Sequence, residues 1–420
     1  MSNFFLLLGS IKPNVIKAIH DNTFRFQLAQ ILYICSISFG WYIEDGYRRA
    51  LFLLALLLTS KNLRKTKVLS NSKGLTKLAV YLLVGFAVWI TTIPLLFGIS
   101  SVTSRLQSLA RPLEVCLYVY GIFIFARDKN FIKYFSAISL VSAAIFILLV
   151  FIQRSLVSFV PMYDGWALRT HAAVGGLTVC MIVPWFLYNI CASNVSNCKR
   201  CINVVLLAIA SLTIVSTYYL TVWLAFCTQI ISAIILCVVF FKNKHLLLIL
   251  SILVIGAGAG FGYLYTRIPE VKTNVQQLLM IDKNLNDFTN NRVEIWKEAA
   301  NLIKVRKTFG YGWVSYNDFA SIKKNHPHSS YLEAAFITGI PGLMLYVLTL
   351  GTIFVLSIKN LFTKRGPAMF SYVIILMLVA YGVGSFGEAY FFIRREFLIP
   401  FWTTISMVIA PIFNDTQYKA

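Results

Sequence analysis

The sequence contains few charged residues. They make up 13% of its 420 positions, against about 25% in an ordinary soluble domain. Hydrophobic residues make up 58%, and apolar segments of about 17–22 residues recur along the chain, each long enough to cross roughly 30 Å of hydrocarbon as a helix. This composition excludes a soluble fold. It predicts an all-α, polytopic membrane protein.

Acidic residues are scarcer than basic ones, with 16 Asp and Glu against 38 Lys and Arg, which gives a net charge of +22. In a membrane protein this excess reflects the placement of loops on the cytoplasmic side. We therefore expect membrane lipids as surroundings and no nucleic acid as a partner. The phosphate-binding pattern GxxxxGK[ST] is absent, which argues against an ATP-driven transporter.

The apolar segments predict about twelve transmembrane helices in a single integral membrane domain that covers residues 1–420. The only long connection is 266–329, between helices nine and ten, and connections of this length are usually functional. Residues 1–8 lack a preceding basic residue and a small-residue cleavage pattern, so we expect no signal peptide. The predicted spans are 28–43, 48–60, 78–98, 112–127, 133–152, 172–192, 202–218, 220–241, 246–265, 330–358, 368–386 and 397–413.

The positions of Lys and Arg predict the orientation, because basic residues in short loops are retained in the cytoplasm. With the N-terminus inside, the inner segments carry twenty basic residues, and the outer loops other than 266–329 carry eight. Both termini are therefore expected in the cytoplasm and 266–329 on the outer side of the membrane. The chain is thus expected to be a multi-pass membrane protein.

The eight cysteines all fall in predicted spans or in the inner loop near Asn197, so no disulfide is expected outside. Cys198 and Cys201 have the spacing of zinc ligands, and Cys191 is near them in sequence. A fourth ligand is missing, which favours structural cysteines.

A divalent cation bound outside would need clustered carboxylates. The nearest candidates are Glu44 and Asp45, but adjacent side chains point apart, and no second acidic cluster follows before Asp282 and Asp287. The sequence therefore predicts no metal site.

The loop 266–329 contains three features that precede span ten. Residues 290–307 read as an amphipathic helix, capped by Asn290 or Asn291, and Gly310-Tyr-Gly312 then breaks the chain. The pair His326-Pro-His328 follows just before the apolar run. The apolar positions expected on one face of the helix are Val293, Trp296, Ala300 and Ile303.

His328 is the leading candidate for chemistry, because an imidazole titrates near neutral pH and can accept a proton from a sugar hydroxyl. Pro327 suits the first turn of a helix that begins there, which would place His328 at the positive end of the helix dipole and disfavour the imidazolium. The alternative is an ordinary histidine at the membrane interface.

Arginines dominate the rest of the outer surface. Guanidinium groups suit diphosphate oxygens, and several that converge would hold a diphosphate leaving group without a metal. The alternative for each one is a solvated arginine or one that contacts lipid headgroups. The outer arginines are Arg48, Arg49, Arg105, Arg111, Arg169, Arg292, Arg394 and Arg395.

Three segments of the sequence resemble the conserved loop of the O-antigen ligase and polymerase superfamily. Asn291–Ala300 contains Arg-x-x-x-Trp, Phe309–Gly312 contains the Gly-x-Gly turn, and Pro327–Leu343 begins with Pro-His and continues into a glycine-containing helix. The close match covers about 55 residues, and the twelve spans with a long loop after the ninth extend the likeness to the whole architecture.

The resemblance implies a metal-independent, inverting glycosyltransferase with no cofactor. Its donor would be O-antigen linked to undecaprenyl diphosphate, its acceptor the lipid A-core oligosaccharide, and the pathway lipopolysaccharide biosynthesis. The resemblance also implies that the chain lies in the inner membrane of a Gram-negative bacterium, with 266–329 in the periplasm. Carried over, His328 is the catalytic base and Arg292 binds the donor diphosphate. Leu220 and Ser329 stand where the family usually has an arginine and an asparagine, so the resemblance leaves Arg169, Arg394 or Arg395 to complete the diphosphate site.

Two other functions remain open at this point. An O-antigen polymerase uses the same donor with a second lipid-linked glycan as acceptor. The loop with Pro-His before span ten matches the ligases of the superfamily better, which favours the ligase. A flippase or transporter for lipid-linked sugars would need charged residues along a path inside the spans. The predicted spans contain almost none except Glu114.

Overall fold

The computed structural model describes residues 22–38, 45–59, 74–126, 129–156, 172–192, 195–215, 217, 219–241, 292–322, 326–363, 367–388 and 395–410, and a few isolated positions between 262 and 272. Within these ranges the secondary structure is helical, as predicted. The helices are α1 Asn22–Ser38, α2 Asp45–Thr59, α3 Leu75–Phe97, α4 Val102–Phe125, α5 Lys129–Leu156, α6 Ala172–Cys191, α7 Asn197–Val215, α8 Leu220–Leu236, α9 Arg292–Val305, α10 Ser330–Thr363, α11 Ala368–Gly387 and α12 Arg395–Ser406.

Every predicted span except the ninth coincides with one of these helices; the ninth, 246–265, lies almost entirely outside the described residues. Seven helices among the described residues are long and apolar enough to cross a membrane. They correspond to α3, α4, α5, α7, α8, α10 and α11. The apolar parts of α6 and α12 are shorter, and α1 and α2 have 17 and 15 residues.

Helix α11 is the most enclosed of the seven, with 72% of its apolar window buried. It packs against α6, α8 and α10, and α10 packs in turn against α3. In a membrane protein the outer helices have apolar side chains where they face lipid, so a high hydrophobicity does not distinguish inner from outer helices. The fraction of buried residues does, and it places α11 at the centre of the bundle. At the end of α11, Gly387 is buried against α8 and α9, whereas Phe386 is exposed.

Helix α10 is broken near its first third, where Gly339 has φ 75° and ψ 177° and Pro341 lacks an N–H. The break frees backbone groups that a regular helix would pair. The segment after α9 satisfies them: Tyr311 N–H donates to the Phe336 carbonyl at 2.7 Å, Gly312 N–H to the Ile337 carbonyl at 3.0 Å, and Ile340 N–H to the Lys307 carbonyl at 2.7 Å.

The predicted break at Gly310-Tyr-Gly312 is confirmed and has a clear steric reason. Gly310 and Gly312 have φ of 66° and 80°. A Cβ on Gly310 would lie 2.6 Å from the Ile337 carbonyl, and one on Gly312 would lie 2.7 Å from the Cα of Gly98. Only glycine allows this backbone to lie so close to α10 at position 310 and to the end of α3 at position 312.

The predicted loop helix is present as α9. Ile303 is buried as predicted, but the other buried positions differ from the prediction. The buried residues are Ile295, Ala299 and Ile303, whereas Val293 and Trp296 are only partly buried. The apolar pattern was ambiguous because both faces of this helix carry apolar side chains. The turn at 316–322 packs against α9 through Tyr316 and Ser321, and the face with Ile295, Ala299 and Ile303 is the one that is buried. The proposed caps Asn290 and Asn291 lie outside the described residues.

Candidate active site

His328 lies just before α10, in a backbone conformation that few residues adopt. It has φ 49° and is the one non-glycine residue with positive φ among those described. Helix α10 begins at Ser330, three residues after Pro327, and the Ser329 carbonyl accepts the first helical hydrogen bond, from Glu333 N–H at 2.9 Å. The expectation of a helix starting at Pro327 is therefore wrong, because Ser329 occupies the capping position.

The imidazole of His328 faces a carboxylate that sequence reasoning did not assign. Nδ1 of His328 lies 3.7 Å from Oε2 of Glu388, the residue directly after α11. The backbone N–H of His328 donates to Nδ1 of His326 at 3.3 Å, and the two imidazole rings meet edge to face at 4.3 Å. The site therefore contains two histidines and one carboxylate.

Arg292, the first residue of α9, reaches the same carboxylate. Its Nη2 donates to Oε1 of Glu388 at 2.9 Å, and its Nη1 donates to Oγ1 of Thr221 at 3.2 Å. Thr221 lies in the first turn of α8. The side chains that converge here thus come from α8, α9, the end of α11 and the residues before α10.

Gly387 makes this convergence possible because it has no side chain. A Cβ at this position would lie 2.5 Å from Oγ1 of Thr221 and 2.7 Å from Nη1 of Arg292, closer than real Cβ contacts. Thr221 is β-branched and has little rotamer freedom in a helix, so it could not move aside. The absence of a side chain at 387 lets the guanidinium lie against the end of α11.

Glu388 is a carboxylate at neutral pH. Burial by itself would raise the pKa of its carboxyl group, but the neighbouring imidazole of His328 and the positive charge of Arg292 outweigh burial and lower the pKa below its usual value of 4.5. The buried negative charge is therefore compensated chiefly by the guanidinium of Arg292, at 2.9 Å.

The two positions at which the sequence departs from the family pattern lie at this site. Leu220 is the first residue of α8, and the residue beside it, Thr221, provides the polar contact to Arg292. Ser329 is buried, and its carbonyl caps α10. The neighbouring Ser330 donates from Oγ to the Glu388 carbonyl at 3.0 Å.

Several of the outer arginines are engaged elsewhere in the fold. Arg48 and Arg49 both pair with Glu114, at 3.3 Å and 2.9 Å. The negative charge of Glu114, the acidic residue within predicted span four, is therefore neutralised by these two arginines. Arg105 donates to the carbonyls of Leu95 and Ser100. These arginines bind carbonyls near helix ends and the partly buried carboxylate of Glu114.

The side chains of the remaining arginines assigned to the donor diphosphate lie outside the described part of the structure. Arg169 and Arg394 lie outside the described residues, and Arg395 begins α12 but its side chain is outside the described part. Glu44 and the side chain of Asp45 are likewise outside it. Their roles stay predictions.

Comparison with protein families identifies one match, at residues 205–347, to the model described as O-antigen ligase. This range is about a third of the chain and includes Thr221, Arg292 and His328. Residues 205–347 are similar to this family. The resemblance seen in the sequence is confirmed at the level of the O-antigen ligase and polymerase superfamily. No curated protein matches the chain.

Membership of the superfamily implies an enzyme of the glycosyl-transfer type in a membrane with lipid-linked substrates. The O-antigen ligase match ends before Glu388, which lies beyond residue 347. The sequence signal that could have indicated Glu388 is its position: it is an acidic residue directly after predicted span eleven, on the side assigned to the loop 266–329.

Proposed function

We propose that the protein is an O-antigen ligase, which transfers O-antigen polysaccharide from undecaprenyl diphosphate to the lipid A-core oligosaccharide at the periplasmic face of the inner membrane. The observation that supports this function most directly is the cluster of His328, Glu388 and Arg292 at one end of the helices. A proton acceptor and a guanidinium therefore lie in one site beside the membrane, as a lipid-linked diphosphate donor requires.

The transfer is a single displacement at the anomeric carbon of the donor sugar. The acceptor hydroxyl oxygen forms the new glycosidic bond while the bond from the anomeric carbon to the diphosphate oxygen breaks, so the configuration inverts. The acceptor proton goes to Nε2 of His328, and the electron pair of the broken bond leaves with the diphosphate. The guanidinium of Arg292 stabilises the charge that develops on it.

In this proposal Nδ1 of His328 faces Glu388, which leaves Nε2 for the acceptor. A carboxylate behind an imidazole orients the ring and stabilises the imidazolium formed after proton transfer. The reaction requires no divalent cation, and purified protein should transfer glycan in the presence of a chelator. Activity that is lost on chelation and restored by Mg²⁺ or Mn²⁺ would contradict this part of the proposal.

The experiment that tests the proposal is deletion of the gene, followed by complementation with the wild type and with His328→Asn. Loss of all O-antigen from lipid A-core, with polymer accumulating on the lipid carrier, identifies a ligase. A core that carries a single repeat unit identifies a polymerase, the second candidate, which uses the same donor. Restoration by the wild type but not by His328→Asn supports His328 as the base, and restoration by both contradicts it.

A further inference from the structure

Among the described residues, Glu388 faces both of the groups assigned to catalysis, His328 and Arg292. Its side chain is nearly buried, with Oε1 at 2.9 Å from Nη2 of Arg292 and Oε2 at 3.7 Å from Nδ1 of His328. The first distance is that of a charge-assisted hydrogen bond, and the second is too long for a hydrogen bond. In this state the carboxylate is held by Arg292, while the imidazole stands close by without a direct bond to it.

Arg292 uses two of its five N–H donors in this arrangement. Nη2 donates to Glu388 and Nη1 donates to Thr221, and the side chain is only 17% exposed. A diphosphate that binds both Nη nitrogens would meet Glu388 at Nη2 and compete with it there. The diphosphate carries more negative charge than one carboxylate and offers oxygens on two phosphorus atoms, which favours it in this competition.

We propose that Glu388 is a positioning residue shared by the two halves of the site: it holds Arg292 while the donor is absent, and it turns to Nδ1 of His328 when the donor diphosphate takes over Arg292. This inference rests on the proposed function. Glu388 stays a carboxylate throughout and moves no proton, since the proton taken from the acceptor remains on His328. Its consequence is that the base becomes oriented only when a donor is bound.

The backbone around Glu388 restricts such a movement to the side chain. The N–H of Glu388 donates to the Gly384 carbonyl at 3.1 Å, and the carbonyl of Glu388 accepts from Oγ of Ser330 at 3.0 Å. Ser330 is two residues after His328, so the backbones of the carboxylate and the base are tied together. A rotation of the carboxylate is then enough to close the gap from 3.7 Å to hydrogen-bond length.

The test compares Glu388→Gln and Glu388→Ala with the wild type in steady-state transfer by purified protein, with the lipid-linked donor varied. Glu388→Gln keeps an oxygen for Arg292 but has no charge for the imidazolium, so kcat should fall by about 10- to 10³-fold. Glu388→Ala releases Arg292, so its donor KM should equal or fall below the wild-type value while kcat falls similarly. Glu294→Gln, an exposed change on α9, is the matched control and should leave both parameters unchanged.

A second measurement separates positioning from a structural role. If Glu388 acts through His328, adding Glu388→Gln to His328→Asn should reduce the residual rate by less than about threefold, whereas independent effects would multiply. A donor KM raised tenfold or more in Glu388→Ala, multiplied losses in the double variant, or wild-type kcat in Glu388→Gln would overturn the inference. If Glu388→Ala does not accumulate in the membrane, Glu388→Gln and the double variant decide.

Failure of this inference differs visibly from failure of the proposed function. If His328→Asn is inactive and the Glu388 variants have normal activity, only the role proposed for Glu388 is contradicted. If His328→Asn is active, His328 is not the base, and the proposed mechanism is contradicted as well.

Discussion

At the scale of single residues, the backbone of His328 is the most unusual feature of the site. A left-handed conformation costs an ordinary L-residue about 1–2 kcal/mol, and the surrounding contacts must compensate for it. The N–H of His328 is bonded to His326, and the next residue caps α10. Strain of this kind concentrates at functional sites, so the conformation agrees with a role for this side chain.

We predict that His328→Asn keeps the fold and loses activity. Asparagine tolerates the left-handed region almost as well as histidine does, but its amide cannot act as a base. The rate of glycan transfer in vitro, at matched membrane abundance, should fall about 10²- to 10⁴-fold. The control is His326→Ala, which removes an acceptor for the His328 N–H and should lose less than about tenfold. Near-normal transfer by His328→Asn would end the general-base assignment.

Arg292 gives a second prediction at this scale, because its geometry matters as well as its charge. A lysine at 292 keeps the positive charge but cannot donate to both Glu388 and Thr221 in the planar arrangement of the guanidinium. Arg292→Lys should therefore lose about tenfold or more in transfer rate. Lys297→Ala, an exposed change on the same helix, should be neutral. A fully active lysine variant would show that charge alone is sufficient.

At the scale of elements, the site depends on how α9 and the segment after it attach to the broken helix α10. The carbonyls of Phe336 and Ile337 accept from Tyr311 and Gly312, and Nε1 of Trp89 on α3 donates to the Thr338 carbonyl at 3.0 Å. Nonhelical backbone near a membrane is stable only when other parts of the protein satisfy it. The break in α10 and the glycine turn therefore stabilise one another.

We predict that Gly310→Ala destabilises the protein by about 1–3 kcal/mol, because the new Cβ would meet the Ile337 carbonyl at 2.6 Å in a left-handed backbone. Gly351→Ala on α10 is the matched control: nothing lies within 4 Å of its Cβ, and alanine is the better helix former. Thermal unfolding in detergent should show a lowered midpoint for Gly310→Ala only. Equal midpoints would show that the turn does not need glycine.

Glu298 fastens the turn at 316–322 to α9, with its carboxylate accepting from the N–H groups of Ser321 and Ile322. Burial would raise the pKa of Glu298, but hydrogen bonds from Ser321 and Ile322 outweigh it and lower the pKa below 4.5. The stabilisation is thus complete above the usual carboxyl pKa and is lost as the pH falls through the lowered value.

We therefore expect Glu298→Gln to increase hydrogen exchange at Ser321 and Ile322 at pH 7. In the wild type, protection of these two amides should persist down to about pH 5 and disappear only at pH values below 4.5. Unchanged protection in Glu298→Gln would show that the ionised carboxylate does not hold the turn.

At the scale of the whole molecule, side-chain hydrogen bonds and ion pairs join the described helix ends in two separate groups, one around α9 and one around the start of α7. The start of α8, the end of α11 and the residues before α10 meet α9 at the candidate active site. Nη2 of Arg306, just after α9, donates to the Phe97 carbonyl at the end of α3. Arg200 at the start of α7 instead donates to carbonyls at the end of α6. The alternation agrees with helices that cross in opposite directions.

The orientation itself is a prediction. We expect α9 in the periplasm and the start of α7 in the cytoplasm. Two variants test this, each with a single cysteine: Lys304→Cys on α9, and native Cys198, which is exposed at the start of α7. In intact cells an impermeant maleimide should label Lys304→Cys and not Cys198, and permeabilised cells should label both. The opposite pattern in intact cells would invert the topology.

Hydrophobic patterning in the sequence determined the helical class and the placement of the helices. Apolar runs are a local property, and a lipid environment permits few backbone structures other than helices, so eleven predicted spans coincide with helices. The glycine turn and the motif residues Arg292 and His328 were readable for a similar reason, since each lies in a short segment with its own pattern.

Tertiary structure decided what no local pattern contains. Glu388 follows Arg292 by 96 positions, and Thr221 precedes it by 71, so only the packing of α8, α9 and α11 brings the three together. The same packing chose Ile295, Ala299 and Ile303 as the buried face of α9. It also assigned Arg48 and Arg49 to Glu114. Long-range contacts of this kind depend on which helices are neighbours, and one sequence read along its length does not specify that.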